Sequence, residues 1–284
     1  MRPILAALVL ALAVTSCGGG DEPETPDESP AKLLTEAFAS PARSGEAVAD
    51  LKLALEGLPV LRDPITANVG GPFELAADGG LPSFDLALDG SVAGFGVDGE
   101  LVSTGEDAFV VFFGENYRVG AERVAAAEGR LAAGGGAGGL GLDPASWFES
   151  PRYAGSEDVE GTDAEKIEAG LDPAAMAEDV SAAANALGAP ALIGALASGA
   201  GPGEIEAWVA YDDHTVRRLR MAFPFQVPPG QRRLAAGATG GTVQLGVELT
   251  DIGAEVEIAP PEGGGFQPID QLIGRLRDLA SLGL

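Results

Sequence analysis

ADLKLALEG, residues 49–57, shows the pattern that decides the fold of this 284-residue chain. Leucine occupies positions 51, 53 and 55, while positions 50, 52 and 56 are charged. Successive side chains of a β-strand point to opposite faces of the sheet, so a period of two predicts a strand with one buried face and one solvated face.

The same alternation continues through the first half of the chain. It returns at 72–78 and 83–90, and again through 91–103 and 106–119. Gly90, Gly99 and Gly105 follow Asp or Thr in these stretches, and such pairs predict hairpin turns. Residues 108–113 (AFVVFF) are apolar on both faces, which predicts a central strand.

A second β section starts near residue 153, after two helical stretches. Strand pairs are predicted within 157–172, 204–227 and 242–261. Helices are predicted at 32–38, 123–131, from Asp143-Pro144, at 174–187, more weakly at 189–198, and at 268–282. The glycine-rich stretch 134–141 predicts a loose loop. The fold class is therefore α+β and predominantly antiparallel β, with nine to eleven strands in one large, curved sheet.

The amino-terminus has the features of an export signal. Arg2 precedes an apolar run at 4–14, small residues follow, and Cys17 is the only cysteine of the chain. Thr15-Ser16-Cys17 resembles the lipobox of bacterial lipoproteins, which implies cleavage between Ser16 and Cys17 and a lipid on the Cys17 thiol. The alternative is an ordinary signal peptide with an incidental cysteine.

The composition and net charge indicate how the protein attaches to a membrane and which partners it repels. Residues 18–30 contain only Gly, Pro, Ser, Thr and acidic residues, so 17–30 is predicted to be a disordered acidic tether that carries the lipidated cysteine. A signal peptide is predicted at 1–16 before the tether, and a single domain at 31–284 after it. The net charge of −26 repels nucleic acid and anionic head groups. Membrane attachment is therefore expected through Cys17, on the extracytoplasmic face of the cell membrane.

Residues that could carry chemistry are few. His214 is the only histidine and lies in Asp-Asp-His-Thr, which suits a solvated turn better than a metal site. Arg217, Arg218 and Arg220 form the densest basic spot, read as the solvated face of a strand, with contact to an anionic lipid head group as the alternative. No catalytic residue, metal ligand or cofactor site is predicted, and the chain is not expected to be an enzyme.

Several motifs together resemble the actinobacterial LppX/LprA/LprF/LprG lipoprotein family over residues 31–260. They are the lipobox and acidic tether, an early helix, Val-x-x-Leu-x-Leu at 48–53, Asp-Pro-Ala-Ser-Trp-Phe at 143–148, and Asp-Val-Glu-Gly-Thr-Asp-Ala-Glu-Lys-Ile at 158–167 before an Asp-Pro helix. The resemblance implies a half-barrel sheet, similar to LolA and LolB, with helices covering its concave face around an apolar cavity. It also implies a protein that carries lipids or acylated glycolipids across the cell envelope.

The predicted cavity would be lined by apolar residues from the inward phases of the strands and helices. The candidate liners are Leu53, Phe84, Leu86, Phe95, Phe109, Val111, Met176, Val180, Leu219 and Met221. Each of them also suits an ordinary solid core. The alternative function is accordingly a tethered envelope scaffold with a filled core, which binds an envelope protein through a sheet edge or its terminal helix.

Overall fold

The structure is a computed structural model that describes residues 28–40, 42–58, 63–76, 80–134, 142–186, 199–232, 235, 237–263 and 265–281. These residues form twelve strands and four α-helices. The strands are β1 Ser44–Glu56, β2 Ile65–Glu74, β3 Ser83–Val92, β4 Phe95–Thr104, β5 Ala108–Phe112, β6 Glu115–Arg118, β7 Phe148–Val159, β8 Thr162–Leu171, β9 Gly203–Ala210, β10 Val216–Gln226, β11 Gly240–Thr250 and β12 Gln267–Pro268. The helices are α1 Pro30–Ala39, α2 Ala121–Gly134, α3 Pro173–Ala186 and α4 Ile269–Ser281, with short 3-10 helices at Pro144–Trp147 and Pro229–Gln231.

All twelve strands belong to one open sheet, in the order β12-β6-β5-β4-β3-β2-β1-β11-β10-β9-β8-β7. Every neighbouring pair is antiparallel except β12 and β6. The pairing of β1 with β11 joins the amino-terminal hairpins to the carboxyl-terminal ones. The sheet is curved into a half-barrel with helices on its concave face, so the predicted fold class is confirmed.

The main core lies between the concave face and the helices. Cross-strand partners share a face of a sheet, and the register aligns one row of residues from β10 to β3. This row is Leu219, Val247, Ala49, Val69 and Leu88. Leu34 and Phe38 of α1 pack into the same cluster, as does Met176 of α3. The alternation seen in the sequence therefore separates this concave face from the solvated convex face.

The predicted turns at Gly90 and Gly99 are wrong, because both glycines lie inside strands. A Cβ on Gly90 would lie 2.6 Å from the carbonyl oxygen of Thr66, and one on Gly99 would lie 2.8 Å from that of Val111. These glycines allow close approach of neighbouring strands. The β3–β4 turn is at Ala93-Gly94 instead.

Of the strand pair predicted within 242–261, the second strand is absent. The first strand is β11, but residues 254–260 form no strand. β11 already pairs with β1 on one side and with β10 on the other, so no free edge remains beside it for a further hairpin strand. The apolar phase at Val256 and Ile258 therefore does not lead to sheet pairing.

Strand β2 starts earlier than the sequence indicates. The predicted strand begins at Pro72, whereas β2 begins at Ile65 and runs through Gly70-Gly71-Pro72 in the interior of the sheet. Proline lacks the amide hydrogen that a strand interior requires, so Pro72 is an unusual residue at this position. The sheet accommodates Pro72 through a gap in the pairing of β2 with β3, where Gly71 and Pro72 have no partner.

The helical predictions agree with the structure within a few residues for α1 to α4, and the short helix after Asp143 is a 3-10 helix. Asp172 begins α3 as predicted, because its carboxylate accepts hydrogen bonds from the amides of Ala174 and Ala175, at 2.8 and 3.1 Å. The predicted helix at 189–198 lies outside the described residues, as does most of the predicted loop at 134–141.

Candidate functional site: an apolar trough on the concave face

Two helices cover the two sides of the concave face. α1 packs against β7 and β9, and α4 packs against β6 and β12. On β1 to β4, which lie between them, four apolar side chains remain only partly buried against the main core: Leu51, Phe84, Leu88 and Leu101. We call these four residues the apolar trough.

The register shows that the trough is one surface. Leu101 pairs with Leu86, which lies between Phe84 and Leu88 on the same face of β3. Leu51 pairs with Ala67, whose partner on β3 is Gly90. The trough therefore runs across β1 to β4, and its side chains offer no hydrogen-bonding group.

Two glycines leave space beside the trough. Gly99 is the partner of Leu88 on β4, and a Cβ on Gly99 would lie 3.8 Å from the Leu88 Cδ2 atom. Gly90 follows Leu88 on the same face of β3. Neither position can take a side chain without displacing a neighbouring carbonyl group, so no side chain at position 90 or 99 covers Leu88 on the concave face.

Six of the ten predicted liners lie in or against the main core. Leu86, Met176, Leu219 and Met221 are buried within it, while Phe84 and Val180 are partly buried against it. Only Phe84 belongs to the trough. The sequence pattern thus finds the concave face, although most of these residues already fill the core.

The other four predicted liners lie apart. Leu53 packs with Phe225 and Val227 in a separate small cluster. Phe109 pairs with Val102, and Val111 with Glu100, so both lie on the convex face, where the Phe109 ring packs against Phe266 with centroids 5.0 Å apart.

The fourth of these, Phe95, lies next to the β3–β4 turn and is 71% exposed. Sequence reasoning missed Leu51, Leu88 and Leu101. The alternation marks Leu51 and Leu88 as inward-facing, but only the strand register shows that they meet Leu101.

The described residues also line a pocket of about 290 Å³ at the end of β1 to β3 where β1 begins. Its lining mixes charged and apolar side chains, including Arg43, Glu74 and Leu75. This volume is at the lower limit of usual ligand sites. Within the described ranges the trough is an apolar surface on the concave face.

The three arginines of β10 do not form one patch. Arg217 is buried and pairs with Asp213 at 2.6 Å, whereas Arg218 pairs with Glu248 on the convex face. Arg218 and Arg220 both lie over the ring of Trp208, 5.4 Å from its centroid. Their cations cover a buried tryptophan, which explains why this strand is basic on its outer side.

Lys166 completes the cover of Trp208, 5.1 Å from the ring centroid. Hydrogen bonds to Glu206 and Glu168 raise the pKa of Lys166, with N–O distances of 2.8 and 3.0 Å. The Trp208 indole N–H donates to Glu157 at 3.0 Å. This convex-face cluster is internally paired, and it stabilises the β7–β10 side of the sheet.

A polar cluster between β7, β8 and the end of β9 was not anticipated from the sequence. The Tyr211 hydroxyl donates to the Glu165 carboxylate, and Ser156 hydrogen-bonds to the same hydroxyl. Burial raises the pKa of Tyr211, and the Glu165 carboxylate raises it further. The two hydroxyls thus compensate a carboxylate that is itself buried.

His214 lies in the β9–β10 turn, where its backbone has φ 54°. The neighbouring Asp213 carboxylate accepts hydrogen bonds from the Thr215 amide at 2.9 Å and from Arg217 at 2.6 Å. Asp213 is thus engaged in holding the turn. In the part of the chain that the structure describes, no three His, Cys, Asp or Glu side chains gather as metal ligands.

Nothing among the described helices is both long and apolar enough to cross a bilayer. Ser16, Cys17, the predicted signal peptide and nearly all of the predicted tether lie outside the described residues. The first described residue, Glu28, is fixed to the fold, since its carbonyl oxygen accepts a hydrogen bond from the Tyr153 hydroxyl at 2.9 Å.

No family model matches the sequence, and no curated protein matches it closely. Among solved structures, LprF from Mycobacterium bovis is 14% identical with a TM-score of 0.42, over 91% of this chain and 98% of that chain. The lipoprotein LppX from Mycobacterium tuberculosis is 12% identical with a TM-score of 0.39, over 77% of this chain and 90% of that chain.

Proposed function

We propose that this protein is a membrane-anchored lipoprotein that binds lipids or acylated glycolipids on its concave face and carries them within the cell envelope, without catalysing a reaction. The observation that carries the proposal is the apolar trough. Four large apolar side chains stay only partly buried on the inner face of a sheet whose two sides are covered by helices.

Acyl chains match the chemistry of the trough. Leu51, Leu88 and Leu101 present only hydrocarbon, so recognition would come from removal of apolar surface from water and not from directed hydrogen bonds. Each buried methylene group contributes about 0.8 kcal/mol, so that a partly covered chain of eight methylenes gains roughly 6 kcal/mol before the entropic cost of binding. Such a site selects acylated molecules as a class.

The anchor part of the proposal depends on Cys17. Ten residues lie between Cys17 and Glu28, so the eleven steps from one to the other span at most about 40 Å when fully extended. Two or more acyl chains on Cys17 would hold the protein stably at a membrane, whereas one chain would not. The proposed location is the extracytoplasmic face of the cell membrane.

The alternative is a tethered scaffold that binds an envelope protein. The observation that favours it is that Leu86, Met176, Leu219 and Met221, four of the ten predicted liners, are already buried in the main core. A scaffold of this kind would use a sheet edge or α4 and would carry no lipid. Lipid analysis of the purified protein separates the two functions.

The test compares two neighbouring positions on β3. Leu88→Glu places a carboxylate in the trough, while Ala87→Glu places the same group on the exposed convex face. Lipid is extracted from each protein after purification from its native envelope and is quantified by mass spectrometry. We expect wild type and Ala87→Glu to hold equal amounts, and Leu88→Glu to hold at least tenfold less, since a charge beside an acyl chain loses its hydration.

Circular dichroism on both variants checks that the sheet is retained. If the folded wild-type protein recovers no lipid from envelope extracts, lipid carriage is wrong and the scaffold function takes its place. Equal loss of lipid in both variants would show that the trough is not the binding surface.

A further inference from the structure

Two phenylalanine side chains are exposed at one end of the sheet. Phe95 is 71% exposed beside the β3–β4 turn, and Phe113 is 63% exposed in the β5–β6 turn. Gly99 of β4 pairs with Phe112 of β5, so both hairpins turn at the same end of their strands, and the β3–β4 turn extends about three residues, or about 10 Å, beyond the β5–β6 turn. We call residues 92–96 and 112–114 the aromatic tips.

The backbone of the tips is unfavourable for the residues they contain. Ala93 and Phe113 have φ of 54° and 50°, and each is followed by a glycine that also has positive φ. Two such residues in a two-residue turn are the arrangement in which Asn, Asp and Gly are preferred. A phenylalanine there is a steric outlier.

The remaining non-glycine residues with positive φ among those described are all polar: Ser150, Glu160, His214 and Asp251. Local stability alone would select Asn at position 113. An observed outlier of this kind points to a function of the side chain, which here is held out into solvent.

The tips are also uncharged in a strongly acidic chain. Charged residues make up 21% of the sequence, yet residues 90–97 and 108–114 contain none. Glu115, which borders the second tip, is paired with Arg275, and Asp89 and Asp98, which are cross-strand partners, flank the first tip. The residues of the two tips themselves therefore add no charge repulsion against a lipid surface.

We propose that the aromatic tips insert into the interfacial region of a phospholipid bilayer and dock this end of the sheet on a membrane. Two narrow, convex, uncharged points with aromatic ends suit a deformable apolar layer and offer no concave surface for a protein partner. This contact goes beyond lipid carriage, since it requires neither a cargo nor the Cys17 anchor. A net charge of −26 further selects a zwitterionic over an anionic bilayer.

The first experiment uses a tryptophan at the tip as a reporter. Phe113→Trp is made in the full chain carrying Cys17→Ser, and its fluorescence is measured with phosphatidylcholine vesicles that contain brominated acyl chains. The native Trp147 and Trp208 are 4% and 1% exposed, so they form a constant background. Val48→Trp is the control, at an apolar position 44% exposed on the convex face in the middle of the sheet.

We expect a blue shift and at least twofold quenching for the tip reporter, and no change for the Val48→Trp control. Equal quenching at both positions, or at neither, overturns docking through the tips. Replacing a third of the lipid by phosphatidylglycerol at low salt should weaken binding, and added salt should restore it.

The second experiment removes the rings without disturbing the turns. Phe95→Ser combined with Phe113→Asn keeps a residue that tolerates positive φ at position 113, so the thermal midpoint should stay the same or rise. Vesicle co-sedimentation should fall at least tenfold. If the variant binds as the parent does, or if the tips drive self-association without vesicles in analytical ultracentrifugation, the bilayer is not their partner. Neither measurement involves a bound lipid cargo. Membrane docking through the tips can therefore be confirmed while lipid carriage is wrong, and lipid carriage can be confirmed while docking is wrong.

Discussion

Glu100 lies on the convex face of β4, where its charge is poorly accommodated. Burial raises the pKa of its carboxyl, and the negative charge of Asp85 on the neighbouring strand raises it further. The folded protein therefore binds this proton more tightly than the unfolded chain does. The favourable contribution is complete below the ordinary pKa of 4.5 and is lost as the pH rises through the folded value.

Glu100→Gln should accordingly stabilise the protein at pH 7 and have no such effect at pH 3.5. The amide keeps the shape of the protonated acid and removes the repulsion from Asp85. We expect a gain of about 0.5 kcal/mol, the size usual for partly exposed charges. Urea unfolding monitored by circular dichroism at the two pH values measures the difference.

Glu106→Gln, at an exposed position in the β4–β5 connection, is the matched control for loss of one negative charge. A gain that is equal at both pH values, or equal in the control, would contradict the local origin of the effect and would point to relief of the overall net charge.

Single residues also show where sequence reasoning stops. In 108–113 every residue is apolar or small, so alternation cannot tell which side chains face the core. The sequence pattern predicts Phe109 and Val111 on the concave face, but pairing with β4 puts them on the convex face, while Val110 and Phe112 pack near α4. A strand that is apolar on both faces fixes its own orientation only through its neighbours.

Helix α4 is an element with its own small core. Ile269 and Leu272 pack on Tyr117 in a cluster separate from the main one. Two ion pairs also hold the helix, Arg123 with Asp270 at 2.7 Å in its first turn and Arg275 with Glu115 at its middle. The Arg275 guanidinium also donates to the Tyr117 hydroxyl at 3.0 Å. Since these groups are largely exposed, the apolar contacts supply most of the stabilisation.

Leu272→Ala should loosen α4 without unfolding the sheet. Truncating a buried leucine costs about 2–5 kcal/mol, and the cluster is small enough that the effect should stay local. Hydrogen exchange followed by mass spectrometry should show faster exchange in α4, β5 and β6, with β8 to β10 unchanged.

Arg275→Gln is the companion variant, since it removes an exposed ion pair from the same helix. We expect it to change exchange much less than Leu272→Ala does. Uniform acceleration across all strands in Leu272→Ala would show that α4 is part of the main cooperative unit.

Elements could be predicted where their pattern is local. The period of two located most strands, and the Asp-Pro start and apolar spacing located α3 and the other helices. The errors come from partners distant in sequence. Val256 and Ile258 have a strand-like phase but no free sheet edge, and Pro72 lies inside a strand because β2 leaves a gap beside it.

At the scale of the whole molecule, attachment to the membrane is predicted to depend on one atom. Cys17→Ser removes the thiol on which lipid would be placed, so the chain should lose labelling by radioactive palmitate and move from the membrane fraction to the soluble fraction. Ser16→Ala, which keeps both the thiol and a small residue before it, is the control and should remain in the membrane fraction.

A Cys17→Ser chain that stays in the membrane fraction at high salt would contradict anchoring by lipid alone. In that case the aromatic tips or a retained signal segment would have to supply the attachment, and the Phe95→Ser and Phe113→Asn changes would separate these two causes.

The overall architecture was easier to predict than the site. Consecutive amphipathic strands imply an antiparallel sheet with one covered face, and this follows from residues such as Leu53 and Leu86 without any knowledge of pairing. The trough depends on which side chains the helices leave uncovered, and that depends on register and helix placement, which no local pattern encodes.

The direction of the strands has one more consequence. Glu28, where the described chain begins, lies within electrostatic reach of His214 at the β9–β10 turn. Strands β10 and β3 run the same way, so the β9–β10 turn and the β3–β4 turn lie at opposite ends of the sheet, separated along the strands by about the 33 Å length of the ten residues of β3. The sheet thus acts as a spacer, about one strand in length, between the β9–β10 turn near Glu28 and the surface that the β3–β4 tip touches.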